Sequence, residues 1–232
     1  MENLPFAPLW GKLSSFWSNA SGLVRRVPSQ STLAPAIALQ RLMEGNKRFA
    51  TGNTIKPNQS LARAQEVSSG QAPFAVVIGC SDSRVPNEII FDQGLGDLFI
   101  IRTAGQVSTY ASWGSIEFAV SALGARLIVV LGHTQCGAVT AACKVPDVPG
   151  HIVTLINAIR PASIRASQVP GDLVENAVKV NVAMQVTQLR NLEPVLADKV
   201  RSGEIQIAGA VYDLASGEVE LLNEEFITEW GT

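Results

Sequence analysis

This sequence predicts an α/β fold on a mostly parallel sheet, and three observations predict it. Val76-Val77-Ile78 and Leu127-Ile128-Val129-Val130-Leu131 are continuous apolar, β-branched runs, as in strands covered on both faces. Segments with apolar residues at helical spacing fall between such runs. Two of the runs stop abruptly, at Gly79-Cys80 and at Gly132-His133, where small and polar residues take over. The predicted sheet has four strands, mostly parallel, plus a C-terminal antiparallel edge strand. Helices flank it, and a helical arm precedes it.

Taken in order, residues 1–34 form an amphipathic N-terminal arm, and residues 35–232 form one α/β domain. In the arm, Leu9, Leu13, Phe16, Trp17, Ala20, Leu23, Val24 and Val27 recur at helical spacing, and Lys12, Arg25 and Arg26 add positive charge. The arm is expected to pack on a partner subunit, with docking to a membrane surface or a larger assembly as the sharper alternative. A helix from 36 to 49 ends at Gly52 or Asn53, and a second covers 60–67. The first strand is 74–79, and Pro86 opens a short helix after it. A strand at 98–101 and a helix at 112–123 follow, with Gly124 past the helix end. The third strand is 127–131, and Gly137 opens the next helix. Helices at 151–160 and 173–192, strands at 205–211 and 219–222, and a final short helix at 224–230 complete the chain.

The bulk numbers exclude several classes. Of 232 residues, 47% are hydrophobic and 16% charged, which supports a sizeable core. The formal net charge of −2, without a dense basic run, disfavours nucleic-acid binding. No apolar stretch approaches the roughly 20 residues of a membrane span, and the start lacks the pattern of a secretory signal. Three cysteines, Cys80, Cys136 and Cys143, argue against a disulfide framework and for a reducing, cytoplasmic-type compartment.

The chemistry-bearing residues sit at the two abrupt strand ends. Cys80, Asp82 and Arg84 follow the first strand, and His133 and Cys136 follow the third. Two thiols and an imidazole make the three-donor set of a catalytic zinc site, with a fourth position for water or substrate. If the first strand lies between the second and third, both ends meet where the winding of the sheet reverses, the usual binding edge of such folds. Asp82 is close enough in sequence to accept a hydrogen bond at that position or to bind the metal, and Arg84 can hold it in a charge-assisted pair. The bland alternatives are a buried apolar cysteine, a loop-fixing salt bridge and a four-ligand structural zinc. A non-catalytic zinc scaffold acting through the arm is the alternative function. Cys143 reads as a core residue and His151 as a surface or capping residue. No Gly-x-Gly-x-x-Gly turn or Cys-x-x-Cys pair supports a nucleotide-binding or thiol-redox reading.

These residues carry a family resemblance. Gly79-Cys80-Ser81-Asp82-Ser83-Arg84-Val85-Pro86, Arg102 with Ala104-Gly105, Gly114-Ser115-Ile116-Glu117-Phe118-Ala119-Val120, Gly132-His133-Thr134-Gln135-Cys136-Gly137-Ala138 and Gly209-Ala210-Val211-Tyr212-Asp213 together resemble the β-class carbonic anhydrases. The resemblance runs from about residue 36 to 222 and omits the arm. It implies one Zn²⁺ per chain held by Cys80, His133 and Cys136, with Asp82 and Arg84 as a catalytic dyad, and reversible hydration of CO₂ to bicarbonate by hydroxide at the zinc. It implies a substrate slot lined by Gln71, Val85, Phe99, Phe118 and Gly137, and a homodimer or higher even oligomer whose clefts are lined from both chains. One branch of the family carries an inhibitory Trp-Arg-Tyr bicarbonate pocket. Here Arg102 and Tyr212 match the Arg and Tyr, and Val77 stands at the Trp position. The open-site, plant-like type is therefore expected.

Overall fold

The computed structural model describes residues 33–145 and 147–232. The expected arm, but for its last two residues, lies outside the described residues. In chain order the elements are α1 (Pro35–Ala50), α2 (Leu61–Val67), β1 (Ala75–Cys80), α3 (Asn87–Ile90), β2 (Leu98–Thr103), α4 (Tyr110–Phe118), β3 (Leu127–His133), α5 (Gly137–Lys144), α6 (Ile152–Ala166), α7 (Leu173–Arg190), α8 (Val195–Arg201), β4 (Gln206–Tyr212), β5 (Val219–Leu221) and α9 (Glu224–Trp230).

The sheet order is β2-β1-β3-β4-β5. Pairing is parallel from β2 through β4, and β5 closes the edge antiparallel to β4. β1 does lie between β2 and β3, so the chain winds out one way to β2 and the other way to β3. That reversal leaves a crevice at the carboxyl ends of β1 and β3.

Continuous apolar runs make these strands because both faces are covered. Every residue of β1 and of β3 is buried. On one face Val76, Ile78, Ile128 and Val130 pack with Ile116, Val139, Ile156, Ile159, Val182 and Val186, drawn from α4 to α7. On the other, Val77, Leu127, Val129 and Leu131 pack with Ala38 and Leu42 of α1 and Ile90 of α3. The sheet thus separates two cores. α7 approaches the sheet so closely that a Cβ on Gly132 would stand 2.6 Å from a methyl of Val182. A side chain there would push α7 off the strand that carries His133.

Five elements differ from the sequence reading. β1 and β3 run one and two residues past the strand ends expected at 79 and 131, so Cys80 and His133 are themselves the last strand residues. α6 continues through Pro161 to Ala166 instead of stopping at 160. Its second half buries Ala162, Ser163 and Ala166, and that packing outweighs the hydrogen bond the proline cannot donate. α8 was not expected; it is a single seven-residue helix that buries Leu196 and Ala197. The helix expected at 112–123 is α-helical from Tyr110 to Phe118 and then widens into a π turn to Leu123, which Gly124 ends at a φ of 79°.

Candidate metal centre

β1 ends on Cys80, β3 ends on His133, and Cys136 is the residue from which α5 starts. A tight turn joins the last two, with Gln135 at a φ of 54°. The donor atoms of Cys80, His133 and Cys136 all lie within 4.8 Å of one another, and all three residues are buried. Zinc bonds of about 2.0–2.3 Å arranged tetrahedrally require donors in that range.

The local hydrogen bonds prepare each donor. His133 Nδ1 donates to the Thr134 carbonyl at 2.8 Å, which places the ring proton on Nδ1 and leaves a lone pair on Nε2. Nε2 is buried without any hydrogen-bond partner, a cost that a metal at this position removes. Cys80 Sγ accepts from the Gly105 N–H at 3.2 Å and from the Asp82 N–H at 3.4 Å. With the Cys136 thiol donating to it first of all, and these two amides adding to that, Cys80 is pulled well below an ordinary thiol despite burial. Cys136 is pushed up, because Cys80 holds its proton and burial disfavours a second thiolate beside the first. The pair asks for a cation. Two sulfurs and one unprotonated imidazole nitrogen fit zinc, and three donors rather than four fit the catalytic kind of site. Cys143 on α5 and His151 ahead of α6 do not join the cluster.

Asp82 stands at the rim. Its Oδ2 lies 3.9 Å from His133 Nε2. Arg84 holds the carboxylate with two side-chain hydrogen bonds, Nε to Oδ1 at 2.9 Å and Nη2 to Oδ2 at 2.8 Å, and its N–H adds a third at 3.0 Å. That grip, chiefly the Arg84 side chain, keeps Asp82 ionised far into acid. Arg84 also reaches the Gln135 carbonyl at 3.4 Å, linking the two strand ends.

A family model described as carbonic anhydrase matches residues 75–219. The carbonic anhydrase of Mycolicibacterium smegmatis is 41% identical over 191 residues, covering 81% of this chain and 93% of that protein. Among solved structures, the beta-carbonic anhydrase CcaA superposes with a TM-score of 0.63 at 29% identity, over 80% of this chain and 95% of that one. A Coccomyxa beta-carbonic anhydrase in complex with acetazolamide gives 0.63 at 26% identity, over 79% and 86%. The chain belongs to the β-carbonic anhydrases.

In this β-carbonic anhydrase the slot residues scatter. Gly137 is the first residue of α5, beside Cys136, and a Cβ there would meet open space. Val85 is fully buried in the core on the α1 side of the sheet. Phe99 and Phe118 stack together with centroids 6.5 Å apart. Phe99 pairs with Val76, four residues before Cys80, which puts it roughly 13 Å down the strands from the donors. Gln71 precedes β1 and is exposed at that same far end. Within one chain, then, the donors and dyad come together, and Gln71, Phe99 and Phe118 do not join them. A cavity of about 870 Å³ lined by Met43, Lys47, Thr134, Glu175 and Lys179 contains none of the donors.

Some groups escaped sequence reasoning. The Gly105 N–H that reaches Cys80 Sγ depends on a φ of 66° at that glycine. Asn181 Nδ2 holds the Gly105 carbonyl at 3.1 Å. The signal was a lone amide in the apolar helix run Val180-Asn181-Val182-Ala183, where a buried polar group must have a partner. Arg102 donates to the Cys80 carbonyl at 2.9 Å and to the Asp82 carbonyl at 2.7 Å.

Proposed function

We propose that this β-carbonic anhydrase catalyses the reversible hydration of CO₂ to bicarbonate and a proton at one zinc per chain, held by Cys80, His133 and Cys136. The carrying observation is the convergence of those three buried donors beside a carboxylate that Arg84 fixes in place. Zinc bound there supplies the Lewis acid that acidifies water and stabilises charge developing on oxygen. The chain does the rest. Asp82 Oδ2, at the rim of the donor set, accepts the hydrogen bond of the attacking oxygen and turns its lone pair toward CO₂. Arg84 keeps Asp82 an acceptor and draws it back from the donors. His133 holds its one proton on Nδ1 and takes no part in proton transfer.

The substrate slot is a proposal of two chains. Phe99 and Phe118 stack at the far end of β2, the open edge of the sheet, and Gln71 precedes β1 at that same end, so all three serve the site of a partner subunit. Several facts support this. β2 is the sheet edge and is only half-buried, and Leu95 and Tyr110 are exposed near it. A homodimer, or a higher even oligomer, follows. Val77 in place of a tryptophan, with Arg102 engaged on main-chain carbonyls, supports the open-site type. Two cysteine donors that must stay reduced support a reducing, cytoplasmic-type location. Among the described residues no helix is long and apolar enough to cross a membrane.

The test measures zinc content and CO₂ hydration on one sample across pH, beside light scattering for mass. Zinc at one equivalent with turnover is expected. Zinc at one equivalent without turnover would convert the reading to a structural zinc scaffold.

A further inference from the structure

Arg102 lies opposite Gly79 in the β1–β2 pairing, one position before the end of β2. Its side chain is exposed, and among the described residues no carboxylate pairs with it. A surface arginine ordinarily meets an acid or water. This one directs Nε and Nη2 at two neutral carbonyls, those of Cys80 and Asp82. The two carbonyls bracket the turn that separates the thiol donor from the carboxylate. The Asp82 carbonyl also accepts from the Val85 N–H at 3.0 Å, and the Ser81 N–H donates to the Thr103 carbonyl at 3.1 Å. The turn is therefore pinned from β2 along its whole length.

We propose that Arg102 is a positioning residue for the hydration reaction: its guanidinium clamps both carbonyls of the Cys80–Asp82 turn and so sets where the Asp82 carboxylate stands relative to the metal donors. The inference rests on the function proposed above. Two arginines divide the task. Arg84 grips the charge of Asp82, and Arg102 grips the backbone that carries it. Without Arg102, Arg84 still binds the carboxylate, but the pair moves as a unit because its hinge is loose. With Nε and Nη2 both committed to the main chain, Arg102 is also poorly placed to bind a free anion. A fixed planar fork is needed to span two carbonyls, and a lysine ammonium does not supply one.

The experiment is a double-mutant cycle. Arg102→Met and Arg102→Lys are made in the wild-type and Asp82→Asn backgrounds, as full-length zinc and cobalt enzymes. Expected in the wild-type background is a loss of about 10²-fold in kcat for Arg102→Met, with KM little changed and the far-ultraviolet circular dichroism retained. Arg102→Lys recovers only part of it. The visible spectrum of the cobalt form shifts in Arg102→Met and does not shift further when Asp82 is already Asn. In that background the kcat loss on replacing Arg102 largely disappears. The proposal is overturned by wild-type kcat in Arg102→Met, by an equal loss in both backgrounds, or by an effect confined to KM. If Arg102→Met does not fold, the same cycle run with Arg102→Lys decides by the same criteria. A wild-type enzyme without turnover would sink the functional reading instead, and the cobalt spectra would still judge Arg102.

Discussion

The end of β1 and the end of β3 each bring part of one site, and they are built differently. The β3 end is an anchor. His133 and Cys136 are buried, the Thr134 N–H pairs with the Tyr212 carbonyl at 3.0 Å, and the Thr134 hydroxyl accepts the Leu214 N–H at 3.0 Å. It leans on β4 and the hairpin that follows. The β1 end buries its donor, Cys80, and then turns out to solvent with Asp82 and Arg84, leaning on Arg102 and Thr103 of β2 and on Gly105 in the turn after it. Two of the three donors thus come from the end packed on β4, while the third donor, the carboxylate and the guanidinium come from the end that turns out to solvent.

The largest expected effect breaks the anchor. His133→Ala removes the imidazole that closes the donor set, so zinc content measured by atomic absorption and turnover both fall to background. A protein that retains full zinc would refute the assignment of His133. Asp82→Asn strikes the other end and separates the two roles. Zinc stays at the wild-type level, while kcat falls roughly 10²–10⁴-fold, the range typical of losing a positioned acid–base group.

Smaller changes sharpen the contrast. The segment after Arg84 runs through α3 to Asp92, whose carboxylate is paired with Arg48 at 2.6 Å and accepts the Ile55 and Lys56 N–H groups. Burial pushes the Asp92 carboxyl up, but Arg48 and those amides pull it further down, below its ordinary 3.8. A depressed folded-state value means stability that is present above the unfolded value and lost as pH falls through the folded one. Asp92→Asn is therefore expected to lower stability by about 1–3 kcal/mol at neutral pH. The gap in melting temperature from wild type should close as pH drops below 3.8; a gap of constant size would show that the pair contributes nothing. Thr134→Val removes the hydroxyl that accepts the Leu214 N–H and bonds the Asp213 carboxylate, and should cost about 1–3 kcal/mol in a denaturant titration, with zinc content unchanged.

Much of this was legible beforehand because it is local. Val76-Val77-Ile78 and Leu127 to Leu131 declare doubly covered strands, and the polar residues just past them declare exposed tips. The order of strands then follows from where Cys80 and His133 must meet. What escaped depends on contacts distant in sequence. Arg102 and Asn181 serve residues 22 and 76 positions away, and nothing in their own neighbourhoods says which carbonyl they will find. The placement of Phe99 needed only one more step. It opens a strand parallel to the one Cys80 closes, so the two residues lie at opposite ends of the sheet. Pro161 misled because a proline's local cost is visible, while the burial of Ala162 and Ala166 that offsets it is not.

The burial of β1 and β3 on both faces has a further consequence for how the molecule breathes. Amide hydrogens along Val77 and Val129 are expected to exchange only when the sheet opens, whereas that of Ser83, on an exposed loop residue, is expected to exchange through local fluctuation. The site therefore straddles the boundary between the doubly covered sheet and a solvent-exposed loop. Its three donors are buried at the sheet ends, and its carboxylate stands on the loop beyond them, tied back by Arg84 and Arg102.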